Sequence, residues 1–460
     1  MRRKALPTQT KQKSGRKGAA SGSLLKREFD DSEPLRIVAV VAIVAIVILI
    51  LTGLFAPGLR YWLVVPPEKP VDGQAFLNEL EPLVSSKITR NNQIEVIENG
   101  ENFYAAELDA MRQASRSINI EAYIFHKGQV TDQVLQVLRE RAKAGVRVNM
   151  VMDSLGSLST RKTYFKALKD AGGHVEWYHR LRLHNWFIAN NRTHREITVV
   201  DGRTAFVGGA GYADWWRFSV KGEPRWRDTM LRVQGDAARG IQGAFVENWL
   251  EASGEILDGP DYFPPLGGSP LNSSAGNATA LVVSGSPASG GSTRSRVLFQ
   301  TLIAAAQKSV YITTPYFLPD RSMRDELVRA KRRGVTVRIV VPGKRSDHAL
   351  TRSSGRRAYG DLLKAGADVY EYEPAMIHAK ITIIDGIWSV AGSTNMDNRS
   401  FGINDEINLA VLDSSVAVKL ARNFEEDISH STHVTLDEWE KRSMSERMLE
   451  WMGWVVERQQ

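Results

Sequence analysis

Two histidines, His194 and His378, stand in stretches that match without gaps: THREITVVDGRTAFVGGAG (193–211) and IHAKITIIDGIWSVAGSTN (377–395). Each is followed two residues on by a charged side chain and seven residues on by Asp-Gly, giving His378, Lys380 and Asp385 in one copy and His194, Glu196 and Asp201 in the other. An imidazole beside an ammonium suits phosphate esters: the ammonium neutralises phosphoryl oxygens while the imidazole attacks phosphorus or protonates the leaving oxygen. Two histidines can divide those roles. A single His-x-Lys is a weak signal, and its recurrence in a duplicated frame is what carries weight.

The copies differ where phosphate should be touched. Glu196 stands opposite Lys380, and Gly211 opposite Asn395. A carboxylate near a phosphodiester is electrostatically costly unless a cation intervenes, so Glu196 is expected to pair with Arg192 or Arg217 or to point away. On a strand it would share a face with His194 and raise that imidazole's pKa, while Lys380 lowers that of His378. That charge pattern suits His194 to the acid's role and His378 to the nucleophile's. The opposing reading is a first half that has lost catalysis and survives as scaffold.

The positioning elements also come twice. SINIEAYIF (117–125), TDQVLQVLRERAKAG (131–145) and VRVNMVMD (146–153) read as strand, helix, strand; so do SVYITTPYF (309–317), RDELVRAKRRG (324–334) and VTVRIVVP (335–342). This is the βαβ signature of a parallel sheet, and each unit precedes one copy of the histidine motif. The expected fold is therefore α/β, two βαβ-containing mixed-sheet halves related by a pseudo-twofold axis, with one motif from each half at that axis. Asp-Gly marks a hairpin turn in both copies. Between the halves, 264–295 is rich in Gly, Ser and Pro, and LVV (281–283) within it reads as an edge strand of the second half. At the carboxyl end TLDE (435–438) reads as a capping box. Met444, Met448, Trp451, Met452 and Val455 then recur at helical spacing, as a docked helix or as an interfacial one with Trp451 and Trp454 at headgroup depth.

Charge and hydropathy place the chain at a membrane. Of the net +8, most lies in residues 1–36, which hold ten Lys/Arg against four Asp/Glu, leaving 50 against 48 in the rest. The nearly balanced body disfavours nucleic acid as a partner. Residues 37–56 contain no charge and are long enough to cross a bilayer as a helix. The basic tail before them predicts a cytoplasmic amino terminus and a body outside the cytoplasm. The chain has no cysteine, which excludes disulfides, thiolate chemistry and Cys-ligated metals. The expected order is a basic cytoplasmic tail (1–36), a transmembrane helix (37–56), a connector (57–75), a first half (76–263), the Gly/Ser/Pro-rich connection (264–295), a second half (296–435) and an amphipathic C-terminal helix (436–460).

Over roughly residues 76–435 the chain resembles the phospholipase D superfamily, marked by two HxKxxxxD motifs, of which His378, Lys380 and Asp385 fill the second. YEYEPAMIHAK (370–380), GSTNMDNRSFGINDEINLAV (392–411), NNRTHRE (190–196) and WRDTMLRVQG (226–235) are similar to the bacterial cardiolipin synthase branch. The resemblance implies a phosphohistidine intermediate, no metal or other cofactor, and transfer of a phosphatidyl group from one phospholipid to an alcohol. Water as acceptor would give hydrolysis; a second phosphatidylglycerol would give cardiolipin. Its implied catalytic set is His194, His378, Lys380, Asp201 and Asp385, with Asp228 and Glu406, 34 and 28 residues after their histidines, orienting the imidazoles. Lys380, Ser393 and Asn395 are the implied phosphate-binding residues. His126, His174, His179 and His184 fall outside the duplicated frame and read as structural, or at most as lining a substrate channel. Competing readings are a hydrolase, phosphodiesterase or nuclease of the same superfamily, and a non-catalytic lipid- or phosphate-binding protein. The sequence sets no oligomeric state.

Overall fold

The computed structural model describes residues 33–55, 60–64, 70–180, 190–265, 277–286 and 294–455, with side chains left out in 33–35, 49–55 and 451–455. His184, most of the basic tail and the side chains of Trp451, Met452, Trp454 and Val455 therefore lie outside the described residues. The chain divides into two compact units, residues 1–57 and 58–460. In the first, a helix runs Glu33–Phe55. Among the described residues no helix is long and apolar enough to cross a membrane; this one is described with its side chains over 36–48 only.

The second unit is organised on one 15-stranded sheet. At its middle, strand Ile88–Glu98 pairs with strand Ala278–Gly285, and the order outward is the same on both sides. On the first side come Thr229–Gly235, Thr204–Gly208, Ile197–Val200, Ser117–Ala122, Arg147–Asp153 and His174–Tyr178. On the second come Glu406–Leu412, Trp388–Gly392, Ile381–Ile384, Ser309–Thr313, Thr336–Pro342 and Asp368–Tyr372, with Ser431–Val434 added at the edge. Each side ends in parallel strands joined through helices, as the βαβ patterns require. Ser117–Ala122 is buried along its whole length because helices cover both faces. Helix Gln129–Lys143 turns Val130, Val134, Val137 and Leu138 inward at helical spacing.

The two halves share one sheet within one compact unit. Residues 281–283 are not at an edge: Ala278–Gly285 sits at the seam, antiparallel to Ile88–Glu98 on one side and Glu406–Leu412 on the other, with Leu281 and Val283 fully buried. Three apolar residues in a polar stretch look like an edge until a strand from each half claims one of their two hydrogen-bonding sides. Helix Gln74–Leu83, on the boundary of the expected first half, contributes Phe76, Leu77 and Leu80 to the core of the second. At the carboxyl end, the Thr435–Glu438 capping box opens only the short helix Leu436–Glu440. Ser443 and Glu446 then exchange hydrogen bonds in the same pattern and begin a separate helix, Met444–Val455.

The Asp-Gly pairs make the hairpin turns expected of them, and Asp201 and Asp385 both have left-handed φ, 53° and 54°. Their carboxylates are turned to backbone. Asp385 accepts from the N–H groups of Gln307, Lys308 and Ser309 at 2.7–2.9 Å, and Asp201 from those of Ser115, Arg116 and Ser117 at 2.8–3.0 Å. Each thus pins a hairpin to the start of the neighbouring antiparallel strand, Ser117–Ala122 or Ser309–Thr313. Neither is bonded to an imidazole, which corrects their placement in the catalytic set: seven residues of strand and turn carry the carboxylate to the far end of the hairpin.

Candidate active site

Each histidine lies in an extended segment just before its hairpin, and that segment crosses to the other half. Thr193 forms a parallel bridge with Asp405, the His194 N–H donating to the Asp405 carbonyl at 2.9 Å. The mirror-image bridge joins Arg227 to Ile377, and the His378 N–H donates to the Arg227 carbonyl at 2.7 Å. Asp405 and Arg227 immediately precede Glu406 and Asp228. The bridges therefore set each acid against the histidine of the opposite half. His378 Nδ1 lies 2.9 Å from Asp228 Oδ2, and His194 Nδ1 lies 3.0 and 3.1 Å from the two oxygens of Glu406. The acid that follows each histidine in sequence is thus not the one that holds it.

Around His378 the site is dry and aromatic. Its ring is 5.4 Å from that of Trp216 and 5.2 Å from that of Trp226, and its side chain is 7% exposed. Trp216 Nε1 donates to Asp228 Oδ2 at 3.0 Å, and the Thr229 N–H donates to Oδ1 at 2.8 Å, so the acid's direction is set from three sides. Lys380 Nζ lies 3.0 Å from His378 Nδ1 and donates to the His378 carbonyl at 3.0 Å. Burial and the Lys380 charge pull the His378 pKa below the usual imidazole value, against the pull of Asp228. Burial likewise draws Lys380 down against Asp228 and Glu406. Burial would raise Asp228, but His378 and Lys380 outweigh it and hold the carboxylate ionised. An ionised Asp228 at Nδ1 calls for the tautomer with its proton there, which leaves the Nε2 lone pair for attack.

Around His194, the Ser393 hydroxyl donates to Glu406 Oε2, and the Tyr123 ring meets the imidazole edge-on at 5.2 Å. Ser393 thereby holds the acid rather than standing free for phosphate. Asn395 is buried; its N–H donates to Ser400 Oγ at 3.1 Å, and its Oδ1 has no hydrogen-bond partner among the described residues. A buried acceptor left unpaired in this way suits a ligand that donates a hydrogen bond there.

Glu196 pairs with neither candidate arginine. Arg192 is bonded to the carbonyls of Asn191 and His179 and lies 3.6 Å from Asp153, while Arg217 donates to Gln133. Glu196 is buried, and its Oε1 accepts from the backbone N–H groups of Tyr123 and Ile124 at 3.2 and 3.4 Å. Burial raises its pKa well above the carboxylate range, with the Ile124 N–H and Lys380 opposing only in part, which favours the neutral form. The acid bonded to His194 is Glu406 rather than Glu196, and burial works against a charge on Glu196. A Cβ at Gly211 would come within 2.6 Å of the Ile124 carbonyl and 2.9 Å of Glu196 Oε1, so the two departures from the duplicated pattern are one packing solution. A Cβ at Gly209 would sit 2.9 Å from Asp228 Oδ1 and 3.0 Å from Lys380 Nζ; its absence admits the ammonium from the other half.

The family model described as "Cardiolipin synthase, PLD-like domain" matches residues 108–221 and 299–428, which hold both histidines and Glu406, with Asp228 just beyond the first stretch. The chain belongs to this family. It is 34% identical to "Cardiolipin synthase 1" of Bacillus cereus over 364 residues, covering 77% of this chain and 70% of that protein. It is 35% identical to "Major cardiolipin synthase ClsA" of Bacillus subtilis over 366 residues, covering 79% and 74%. Among solved structures, the phosphatidylserine synthase of Haemophilus influenzae Rd KW20 superposes with a TM-score of 0.63 at 16% identity, covering 83% of this chain and 99% of that one, a likeness of fold.

Measured against the paired HxKxxxxD pattern, the first motif keeps its histidine and replaces the lysine. The motif lysine of the second half is consequently the one ammonium the duplicated frame supplies. The remaining histidines take other places: His126 is 5.0 Å from the Trp215 ring, His179 is stacked on Tyr178 and bonded to Glu251 at 2.6 Å, and His174 starts an outer strand. Among the described residues no group of three His, Asp or Glu is arranged to hold a metal ion. Sequence reasoning missed Trp216, Trp226 and Tyr123; the signal available was aromatic residues close to Asp228 in WRD and just after the strand at 117–122.

The raised pKa of Glu196 has a measurable consequence. Its folded pKa is raised, so protonation favours the fold, and that stability is lost as pH rises from the ordinary carboxylate range through the raised value. Glu196→Gln should match the wild type at acid pH and exceed it in urea midpoint at alkaline pH. Glu196→Lys should cost about 3 kcal/mol or more by burying a second ammonium near Lys380. Parallel pH–stability curves for wild type and Glu196→Gln would show that the carboxyl is ionised in the fold.

Proposed function

We propose that this protein is a membrane-anchored phosphatidyl transferase that joins two molecules of phosphatidylglycerol into cardiolipin and glycerol. The observation that carries the reading is the crossed pair of oriented imidazoles with Lys380 beside only one of them. The names of the relatives support the lipid chemistry.

In the proposed reaction, His378 enters neutral and its Nε2 attacks the phosphorus of the donor. The bond from phosphorus to the glycerol headgroup breaks, His194 gives its proton to the departing oxygen, and a phosphatidyl–His378 intermediate forms with release of glycerol. A hydroxyl of the second phosphatidylglycerol then gives its proton to His194 and attacks phosphorus, expelling His378. Lys380 and Asn395 neutralise and bond the phosphoryl oxygens; Asp228 and Glu406 hold the tautomers and stabilise the imidazolium. Ser393 acts through Glu406 as a positioning residue.

Purified protein given phosphatidylglycerol alone should form cardiolipin and glycerol, and a denaturing quench without acid should leave the phosphatidyl group on His378. His378→Ala should lower turnover by at least about 10³-fold. Phosphatidic acid as the product would make the protein a hydrolase, and unchanged turnover in folded His378→Ala would remove this mechanism altogether.

The anchor proposed is the uncharged segment 37–56, supported by its lack of charge and by the basic residues before it. Protease added to cells whose outer layers are permeable should digest the body and spare the tail. A body that resists until the inner membrane is lysed would reverse the orientation.

A further inference from the structure

Away from the histidines, a cavity of about 470 Å³ opens between helix Ala349–Lys364 and the carboxyl-terminal helices. Its walls carry five cations, Arg324, Arg357, Lys364, Arg442 and Arg447, against two carboxylates, Asp361 and Glu450. Arg357, Asp361 and Lys364 follow one another at helical spacing along one face of the helix.

The far wall is built rather than incidental. Trp439 packs where a Cβ at Gly360 would stand 2.4 Å from its ring, and its Nε1 donates to the Arg356 carbonyl at 2.7 Å. Arg442 lies over the Trp439 ring at 3.6 Å and reaches Glu450 at 2.7 Å, the two charged side chains being 7% and 4% exposed. That pair takes up the Glu450 charge, and Asp361 lies 3.9 Å from Arg324. Burial and the charges of Arg447 and Arg356 press the Arg442 pKa down against Glu450, so cations crowd here at a cost. A polyanionic group of phosphate size relieves that crowding. The helix that supplies Arg447 and Glu450 also leaves Met444, Met448 and Leu449 exposed, at 82%, 60% and 47%. Arg447 on this helix, Arg442 just before it and Arg357 and Lys364 across the cavity set basic groups next to those exposed apolar side chains, the pattern of a surface held in a headgroup layer, which a freely soluble phosphate would not need.

We propose that this cavity is a second lipid site, separate from the histidines, which takes the phosphate of an anionic phospholipid while Met444, Met448 and Leu449 enter the acyl boundary. It is a binding site and not a place of turnover, so it stands or falls independently of the transfer reaction.

The test is hydrogen exchange on the full chain in lipid nanodiscs of phosphatidylcholine alone or with phosphatidic acid added, with inorganic phosphate as a third arm. Phosphatidic acid should protect residues 354–364 and 436–450, and Arg357→Glu/Lys364→Glu should need at least about tenfold more of it for the same protection. Turnover of a soluble short-chain substrate should be unchanged in that variant, which separates failure of this site from failure of the transferase reading. Equal protection in phosphatidylcholine alone, protection by inorganic phosphate as strong as by the lipid, or a double variant that responds like the wild type would each overturn the proposal.

Discussion

Neither half of this protein can orient its own histidine. His378 depends on Asp228 and His194 on Glu406, each acid coming from the opposite half, and the seam of the sheet is what makes the exchange possible. Asp228 directly precedes strand Thr229–Gly235 and Glu406 begins strand Glu406–Leu412, which lie one strand out from the seam on either side. The pairing of Ile88–Glu98 with Ala278–Gly285 fixes the offset between them, and the two parallel bridges carry that offset to the histidine backbones. Removing one member of a buried acid–base pair leaves an uncompensated charge, at about 3–5 kcal/mol, so the paired groups hold the halves in register as well as serving the chemistry.

Within this symmetric frame the charge is lopsided. Lys380 reaches across to Gly209 and lies against His378, whereas the matching position in the other copy is a buried Glu196 bonded to backbone. Gly211 makes that arrangement fit by leaving out the side chain that Asn395 has in the other copy. Both imidazoles thus have a carboxylate partner, but only His378 also sits beside an ammonium, in an aromatic pocket. Two steps of a displacement through phosphorus need one group that starts free of its proton and one that can deliver a proton, and the lopsided site supplies different surroundings for the two.

Much of this was legible in the sequence, and what was not has physical causes. The duplicated His, the βαβ units and the Asp-Gly hairpins are local patterns, and local patterns survive in a string of letters. The crossing of the acids does not, because distance along the chain says nothing about which strand lies opposite. Asp201 and Asp385 belong to the same seven-residue frame as the histidines, yet a hairpin takes them to its far end, where they bind three N–H groups each. Glu196 read as a charge because a letter carries no burial; enclosed by protein, its charged form is disfavoured. LVV read as an edge for the same reason, its neighbours on both sides coming from remote parts of the chain.

The crossing itself can be measured without any assay of activity. Nitrogen resonances of ¹⁵N-labelled histidine report the tautomer and protonation of each ring. Asp228→Asn should shift the His378 signals and leave those of His194 in place, while Glu406→Gln should do the reverse. If each substitution instead perturbed the histidine of its own half, Asp228 acting on His194 and Glu406 on His378, the halves would be self-contained and the crossed pairing of acids and imidazoles would be refuted.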